Sequence, residues 1–252
     1  MIVRTDAVVL RSFDYGETSR IVTLLTRQHG VIGAMAKGAR RTKSTFGSTL
    51  QPSSYVQAVY YYKPGRGLQT LKETSHLRRF SALGTDLERV TLALRALEIT
   101  RALLEEGEPH PLAMEALVRT LTFLDVADDR LGNALAWFQL KMAALLGFTP
   151  DLHREELDAL PADGGVLMLE TGAVRDEADG LRAYTASRAA LRAFAVFARA
   201  DLETAGRMHL PREVRTEVEG LVEAYLRVHT DDALPDRVRR VAGELGAGNE
   251  GP

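Results

Sequence analysis

Hydrophobic and polar residues alternate along the first third of the chain, in short runs separated by turn residues. Such runs, rich in β-branched and aromatic residues, predict β-strands. The predicted strands are residues 3–11, 20–26, 31–37, 54–62 and 68–74. Five strands within about 75 residues favour a small closed barrel, because closure hides strand edges. A long third connection, predicted to be a loop or short helix, is the arrangement of an OB-fold.

From Leu83 onward the apolar residues recur at spacings of three and four, which predicts helices. The helical segments are residues 83–101, 109–126, 131–146, 187–199 and 212–228, with a weaker one at 236–245. Residues 151–183 are poorly periodic and rich in glycine, which predicts a small irregular insertion. The expected fold class is α+β, with an N-terminal five-stranded OB-fold barrel followed by an α-helical domain. The predicted domains are 1–80 for the barrel, 81–150 and 184–246 for the helical domain, and 151–183 for the insertion.

The bulk composition is that of a globular protein. The chain has 252 residues, of which 45% are hydrophobic and 26% are charged. It contains no cysteine, so disulfides, thiolate metal ligands and cysteine nucleophiles are excluded. The first residues lack the pattern of a signal peptide, and no window has the length of a membrane span. We therefore expect a soluble cytoplasmic protein with no membrane partner.

The charge is distributed unevenly along the chain. Residues 1–80 contain thirteen Lys and Arg against four Asp and Glu, a balance of +9. The remaining residues hold nineteen bases and thirty acids, a balance of −11, and the two parts together have the overall charge of −2. This asymmetry favours a polyanion-binding module that is attached to an acidic body. The alternative is a solvated surface that happens to be basic.

The densest cationic stretch is AKGARRTKS at residues 36–44. Lysine and arginine in a loop rich in small polar residues can follow a phosphate backbone. Further cations lie on the predicted strands and in the turn between the last two. The candidate phosphate contacts are Arg11, Arg20, Lys37, Arg40, Arg41, Lys43, Lys63, Arg66 and Lys72.

Three consecutive tyrosines end the fourth predicted strand. Strand alternation places Tyr61 on the face opposite Tyr60 and Tyr62. One face therefore packs in the barrel, while the other can offer an aromatic ring to an unstacked base. Stacking of this kind contributes roughly 1–3 kcal/mol per base.

No pattern of a catalytic or metal site is present. The chain has no P-loop, no HExxH and no GxSxG. Its six histidines are dispersed, and the carboxylates mostly lie on polar helix faces. We therefore predict that the protein is not an enzyme and that it holds no metal and no cofactor.

Several motifs in the right order resemble the RecO family of bacterial recombination-mediator and DNA-repair proteins. The most specific is VVLRSFDYGETSRIVTLLTRQHG followed by AKGARRTKSTFGSTLQP within residues 8–52. GLQTLKETSHLRRF at 67–80 and LLGFTPDL at 145–152 fit the same family. The resemblance covers most of the chain and implies an N-terminal OB-fold, a helical domain and an inserted zinc ribbon.

The zinc ribbon is where this chain departs from the family pattern. The positions that match the expected cysteines are Glu155, Asp158, Met168 and Thr171. Zinc prefers thiolate and imidazole ligands, so this set is a poor site. We therefore expect the segment Gly164 to Leu167 to keep a hairpin without metal.

The resemblance also implies a function and its partners. The protein would bind single- and double-stranded DNA, anneal complementary strands and, with RecR, help load RecA onto strands coated by single-strand-binding protein (SSB). The family implies contact with the acidic C-terminal tail of SSB, for which helix 187–199 is a candidate. Its Leu191, Phe194 and Phe197 would form an apolar groove rimmed by arginines, unless they face the core instead.

Two other functions stay open from the sequence. An RNA-binding OB-fold protein would show the same barrel and the same charges. An enzyme with a site in the helical body would need a pocket with clustered carboxylates.

Overall fold

The computed structural model describes residues 1–178 and 182–230. The chain divides into two compact units, Met1–Leu131 and Gly132–Pro252. The weak helix expected at 236–245 lies outside the described residues. The domain boundaries drawn from the sequence stay a prediction.

The first unit contains the barrel. Its strands are β1 (Ile2–Tyr15), β2 (Ser19–Thr26), β3 (Gly30–Ala36), β4 (Tyr55–Tyr61) and β5 (Leu68–Arg78). They close in the order β1-β2-β3-β5-β4. Only the pairing of β3 with β5 is parallel. The predicted five-stranded OB-fold barrel is therefore confirmed.

Two strands are longer than the sequence pattern indicated. β1 extends to Tyr15 because it pairs with two strands. Its residues Ile2 to Val8 pair with β4, and its residues Ala7 to Tyr15 pair with β2. A bulge between Val9 and Arg11 bends the strand where its partner changes. β5 continues to Arg78 because it pairs with the start of β4.

The barrel interior is filled from the strands and from the β3–β4 connection. Val9, Leu24 and Tyr60 belong to this core from the strands, and Phe46 and Leu50 belong to it from the connection. Residues 37–54 consist of turns and contain no helix. The two buried side chains anchor the connection, which leaves its polar residues on the surface.

Two helices complete the first unit. They are α1 (Leu87–Leu103) and α2 (Pro111–Val126). Asp86 caps α1 by accepting from the backbone N–H of Glu88 at 2.7 Å. The Arg89 guanidinium donates to the backbone oxygens of Leu124 and Ala127, the acceptors left free where α2 ends.

The second unit is built around one buried helix. Its elements are α3 (Gly132–Leu145), α4 (Arg154–Ala159), β6 (Gly165–Met168), β7 (Val174–Arg175), β8 (Ala183–Ala186), α5 (Arg188–Arg199), α6 (Leu202–Gly206) and α7 (Arg212–His229). α3 packs against α5, α6 and α7. The Asn133 amide donates to the backbone oxygens of Ala205 and Met208 at 3.1 and 2.9 Å, which ties the end of α6 to α3.

The inserted segment is more regular than expected. It contains the short helix α4 and the strands β6 and β7, which form a three-stranded sheet in the order β7-β6-β8 with a strand that begins at Ala183, where the predicted insertion ends. The expected hairpin is confirmed, since Val166 pairs with Arg175 and Leu167 with Val174. Strands of two to four residues are too short to produce a readable alternation, which is why the sequence suggested only irregular structure.

No helix among the described residues is both long enough and apolar enough to span a membrane.

Candidate nucleic-acid interface

The cationic start of the β3–β4 connection lies on the surface of the barrel. Lys37, Arg40, Arg41 and Lys43 are all exposed. The chain turns tightly here, since the Arg41 N–H donates to the Gly38 oxygen at 3.0 Å. Gly38 has a φ of +72°, a value that favours glycine over residues with a side chain. The turns leave the cationic side chains pointing to solvent.

Two of the candidate cations are held by an acid that belongs to the barrel. Asp14 forms ion pairs with Arg20 and with Arg40, each at 3.1 Å. Arg40 also donates to the Gly16 oxygen at 3.1 Å, so it ties the connection to the β1–β2 turn. These two arginines therefore have a structural role and carry a partly neutralised charge.

The other candidates are exposed cations. Within residues 1–178 and 182–230 they form no ion pair with a carboxylate. These residues are Arg11, Lys37, Arg41, Lys43, Lys63, Arg66 and Lys72.

A row of side chains crosses the outer surface of the barrel from strand to strand. The register pairs Phe13 with Ile21, Ile21 with Met35, Met35 with Thr70, and Thr70 with Tyr61. Paired residues share a face of the sheet, and none of these five belongs to the barrel core. We call them the outer row. Its two aromatic ends are open, with Phe13 42% and Tyr61 46% exposed.

Cations lie beside both ends of the outer row. The Arg11 guanidinium carbon is 5.3 Å from the centre of the Phe13 ring, so a cation and an aromatic ring form one surface. Tyr61 is two residues before Lys63 and pairs with Thr70, two residues before Lys72. Aromatic rings beside cations are the combination that holds unstacked single strands. Phe13 was missed at the sequence level, although its alternation with Arg11 is visible there.

The three tyrosines at the end of β4 lie as the alternation predicts. Tyr60 is fully buried in the barrel core, and Tyr62 packs against the same core. Tyr61 faces outward. The Tyr62 ring stacks on His29 with a centroid separation of 3.8 Å. One tyrosine of the three is therefore available for a base.

A buried amide holds the turn between β4 and β5. The Gln69 side chain accepts from the Lys63 N–H at 2.9 Å and donates to the Lys63 and Arg66 oxygens. Gln69 is only 4% exposed. The turn that presents two of the candidate cations is thus fixed from inside, and no local sequence signal identifies Gln69 as the residue responsible.

A bulge brings Lys72 to the surface. The β4–β5 register shifts between Val59 and Tyr60, so Lys72 and Glu73 are both exposed although they are adjacent. The Glu73 carboxylate lies 3.9 Å from the guanidinium of Arg4, which is on β1, across the intervening strand β4. Lys72 keeps its charge free as a result.

Burial changes the titration of two groups beneath the barrel surface. His29 bonds through Nδ1 to the Tyr60 hydroxyl at 2.8 Å. Its burial lowers the pKa of His29 below the usual 6.5, and burial raises the pKa of Tyr60 to about 12. Both groups are therefore neutral at pH 7 and add no charge to this surface.

The residues at the expected zinc positions do not fit zinc. The Asp158 carboxylate pairs with Arg192 at 3.2 Å and with Arg154 at 3.5 Å, while Thr171 Oγ1 accepts from the Ala173 N–H. Carboxylates, a thioether and a hydroxyl also lack the thiolates that zinc prefers. Among the described residues no group of three or more His, Asp or Glu could hold a metal ion. A metal-free insertion stays a prediction.

The structure rules out the apolar groove that was considered for α5 and bears out the alternative that this helix faces the core. Leu191 and Phe194 are fully buried, and Phe197 is 2% exposed, so all three belong to the core of the second unit. Arg188 and Arg192 donate to the backbone oxygens of Asp158 and Leu157. The core reading of this helix is confirmed, because its apolar stripe packs inward where a peptide cannot reach it.

The fold defines the class of the protein, an OB-fold barrel continued by helices. Two family models match the chain: Recombination protein O N terminal at residues 1–80, and Recombination protein O C terminal at residues 84–237. The chain belongs to the RecO family of DNA repair proteins.

Similarity to curated relatives extends over nearly the whole chain. The DNA repair protein RecO of Salinibacter ruber (strain DSM 13855 / M31) is 50% identical over 246 residues, 97% of this chain and 94% of that protein. The DNA repair protein RecO of Chloroherpeton thalassium (strain ATCC 35110 / GB-78) is 29% identical over 97% of this chain and 99% of that protein. The counterpart from Anaeromyxobacter sp. (strain K) is 36% identical over 68% of this chain and 66% of that protein.

Proposed function

We propose that the protein is a non-enzymatic recombination mediator whose barrel binds single- and double-stranded DNA. The observation that carries the proposal is the outer row, with exposed aromatic rings at its ends and unpaired cations beside them. Phosphates carry no base information, so binding is largely independent of sequence.

The same surface supports annealing of complementary strands. Two anionic strands repel each other, and cations between them reduce that repulsion. The residues after position 80 carry a net charge of −11, which disfavours wrapping of DNA over the rest of the chain. A strand is thereby confined to the barrel, where a second strand can pair with it.

The partners follow from the family and are part of the proposal. With RecR, the protein helps load RecA onto DNA coated by SSB, and it contacts the acidic C-terminal tail of SSB. Since the apolar residues of α5 are buried, the tail does not bind in a groove made by Leu191, Phe194 and Phe197. We place this function in the cytoplasm, at the nucleoid.

Salt dependence tests the DNA-binding part directly. If four or five phosphates are neutralised, a plot of log affinity against log salt on single strands has a slope of roughly −3, about −0.7 per contact. Fluorescence anisotropy with a labelled oligonucleotide at several salt concentrations measures this slope. A slope near zero would contradict the proposal.

A comparison of DNA with RNA tests the choice of nucleic acid. DNA and RNA oligonucleotides of the same sequence are titrated at matched salt. We expect the DNA to bind at least as tightly as the RNA. A clear preference for RNA would favour the alternative of an RNA-binding OB-fold protein.

A further inference from the structure

A cavity of about 510 Å³ lies in the first unit where β5 ends. It is lined by the end of the β3–β4 connection, by the segment that follows β5 and by α1. None of the roles described above uses it. All the residues that line it belong to the first compact unit.

The walls of the cavity differ in chemistry. Phe80, Leu83, Val90 and Leu94 form an apolar side, and Leu94 is 43% exposed. The lining also includes Ser48, Ser53 and Ser54 of the connection, whose hydroxyls can form hydrogen bonds. The described residues that line the cavity include two arginines and no carboxylate. A ligand that fits has an apolar surface, hydrogen-bonding edges and a negative charge.

The two arginines make the cavity suitable for a flat anionic group. The Arg78 guanidinium carbon is 5.5 Å from the centre of the Phe80 ring, so a cation lies over an aromatic surface. Arg79 is exposed beside it. Stacked guanidinium and aromatic planes are the surfaces on which unstacked bases are held, and arginine binds phosphate oxygens with paired donors.

A histidine on the wall supplies a further polar group. His76 Nε2 bonds to Ser48 Oγ at 3.1 Å, while its Nδ1 is enclosed and has no partner among the described residues. Burial and then the charge of Arg79 lower the pKa of His76. The positive charge of Arg79 therefore acts on His76, a residue that lines the cavity. His76 is neutral at pH 7 because its pKa is lowered.

The cavity is lined in part by the same connection that carries the candidate cations. The connection begins with Lys37 to Lys43, and five residues later its Ser48 lines the cavity. Two arginines and no carboxylate among the described lining residues match a ligand that carries phosphate. A single strand has phosphates for the cations of the connection as well as a base for the cavity, which favours a nucleic acid over an acidic peptide.

We propose that this cavity receives one unstacked nucleotide of a single strand whose neighbouring phosphates lie on the cationic connection. The base lies against Phe80 and the apolar side, and its phosphate contacts Arg78 and Arg79. The inference rests on the proposed DNA binding and adds to it a preference for single strands. A duplex has no unstacked base to insert, so it gains only the phosphate contacts.

Photo-crosslinking with the full chain tests the position of the base. An oligothymidylate that carries 5-iododeoxyuridine is bound, irradiated and digested, and the adduct is mapped by mass spectrometry. We expect an adduct at Phe80 and its loss in Phe80→Leu. Adducts confined to Phe13 or Tyr61 would overturn the inference and leave the proposed function standing.

Affinity of variants supplies a second measurement that does not depend on Phe80. Arg79→Ala removes an exposed side chain, so the variant is expected to fold. We expect it to bind single strands roughly tenfold more weakly, the effect of about one lost stacked and ion-paired nucleotide, and to bind a blunt duplex within about twofold. Arg27→Ala, at an exposed arginine of the β2–β3 turn that pairs with Asp6, is the control and leaves both affinities unchanged.

The possible outcomes separate the two proposals. Failure of the wild-type protein to bind any oligonucleotide would overturn the proposed function, and this inference with it. Normal binding by Arg79→Ala and Phe80→Leu would overturn the inference alone.

A displacement experiment with an aspartate-rich peptide ending in phenylalanine tests the other class of ligand. If that peptide binds in an Arg79-dependent way and no adduct forms in the cavity, the cavity is a protein-docking site and the inference is wrong.

Discussion

Arg41 of the barrel connection and the arginines around the inserted sheet are used in opposite ways. Arg41 in the connection is exposed and forms no ion pair within the described part of the chain. Around the insertion, Arg192 and Arg154 pair with Asp158, and Arg175 pairs with Glu156. The difference teaches that the density of arginine does not identify a binding surface. A carboxylate within reach decides whether the charge is free for a ligand.

The comparison also shows two ways of positioning a loop. The connection is anchored by the buried side chains of Phe46 and Leu50 and by the contacts of Arg40, so Arg41 and Lys43 are not needed to hold it in place. The insertion has only short strands and uses its charged side chains as contacts between α4, β7 and α5. Apolar anchoring leaves polar side chains available for function, whereas anchoring by ion pairs consumes them.

The largest expected effect is on DNA affinity when unpaired cations are removed. Arg41→Ala with Lys43→Ala removes two phosphate contacts. The log–log salt slope on single strands becomes shallower by about 1.4, and affinity at about 0.1 M salt falls roughly 25-fold for all sequences. Anisotropy titrations over a range of salt concentrations measure both quantities.

The matched control replaces two arginines of the second unit. Arg188→Ala with Arg192→Ala removes contacts to Asp158 and Leu157 and is expected to lower the unfolding temperature while leaving the salt slope unchanged. Equal losses of DNA affinity in the two double variants would break the comparison, because paired and unpaired arginines would then behave alike.

A smaller effect, of opposite sign, is expected from the acid in the barrel. Asp14→Asn removes the carboxylate that Arg20 and Arg40 share, so both charges become available. We expect single-strand affinity to rise about two- to fivefold and the salt slope to become steeper by up to about 1.4. Asp6→Asn, which frees Arg27 outside the candidate set, serves as the control. A weaker affinity in Asp14→Asn would show that the ion pairs position the loop and do not mask it.

Mild acid should weaken the barrel through its two partly buried imidazoles. The pKa values of His29 and His76 are lowered by burial in the folded state and return towards 6.5 on unfolding. The unfolded state therefore binds more protons just below pH 6.5. The stabilisation is fully present above that pH and is lost as the pH falls through this window. Hydrogen exchange of barrel amides between pH 7.5 and 5.5, corrected for intrinsic rates, measures the loss.

The variant His29→Gln with His76→Gln provides the check on this pH effect. Its barrel amides should show a flatter dependence of protection on pH, because glutamine does not titrate. An unchanged dependence would assign the effect to other groups.

The smallest expected effect is that of a metal chelator. Since the expected zinc positions hold carboxylates, a thioether and a hydroxyl, EDTA should shift the unfolding temperature by less than about 1 °C. Purified protein should contain zinc well below one equivalent by elemental analysis. A clear drop in unfolding temperature on chelation would show that the insertion is held by metal and not by its ion pairs.

Much of the barrel could be predicted because its information is local. β-branched residues alternate with polar ones along each strand, and the period of two assigns Tyr60 and Tyr61 to opposite faces. The cationic run at residues 36–44 can be recognised directly in the sequence. Leu191, Phe194 and Phe197 form an apolar stripe that is typical of a core-facing helix, and the structure confirms that they are buried, although the stripe alone does not exclude a surface groove.

The sequence by itself determined the order of the five barrel strands and of the long helices, the uneven distribution of charge and the absence of cysteine. Only the tertiary structure decided which cations lack an ion pair. Asp14 and Arg40, for example, form an ion pair although they are 26 positions apart in the sequence. It also decided that Phe13 and Tyr61 end one row and that Gln69 holds the turn beside it. The physical reason is that local periodicity sets the face of each side chain, whereas strand register and barrel closure set its neighbours.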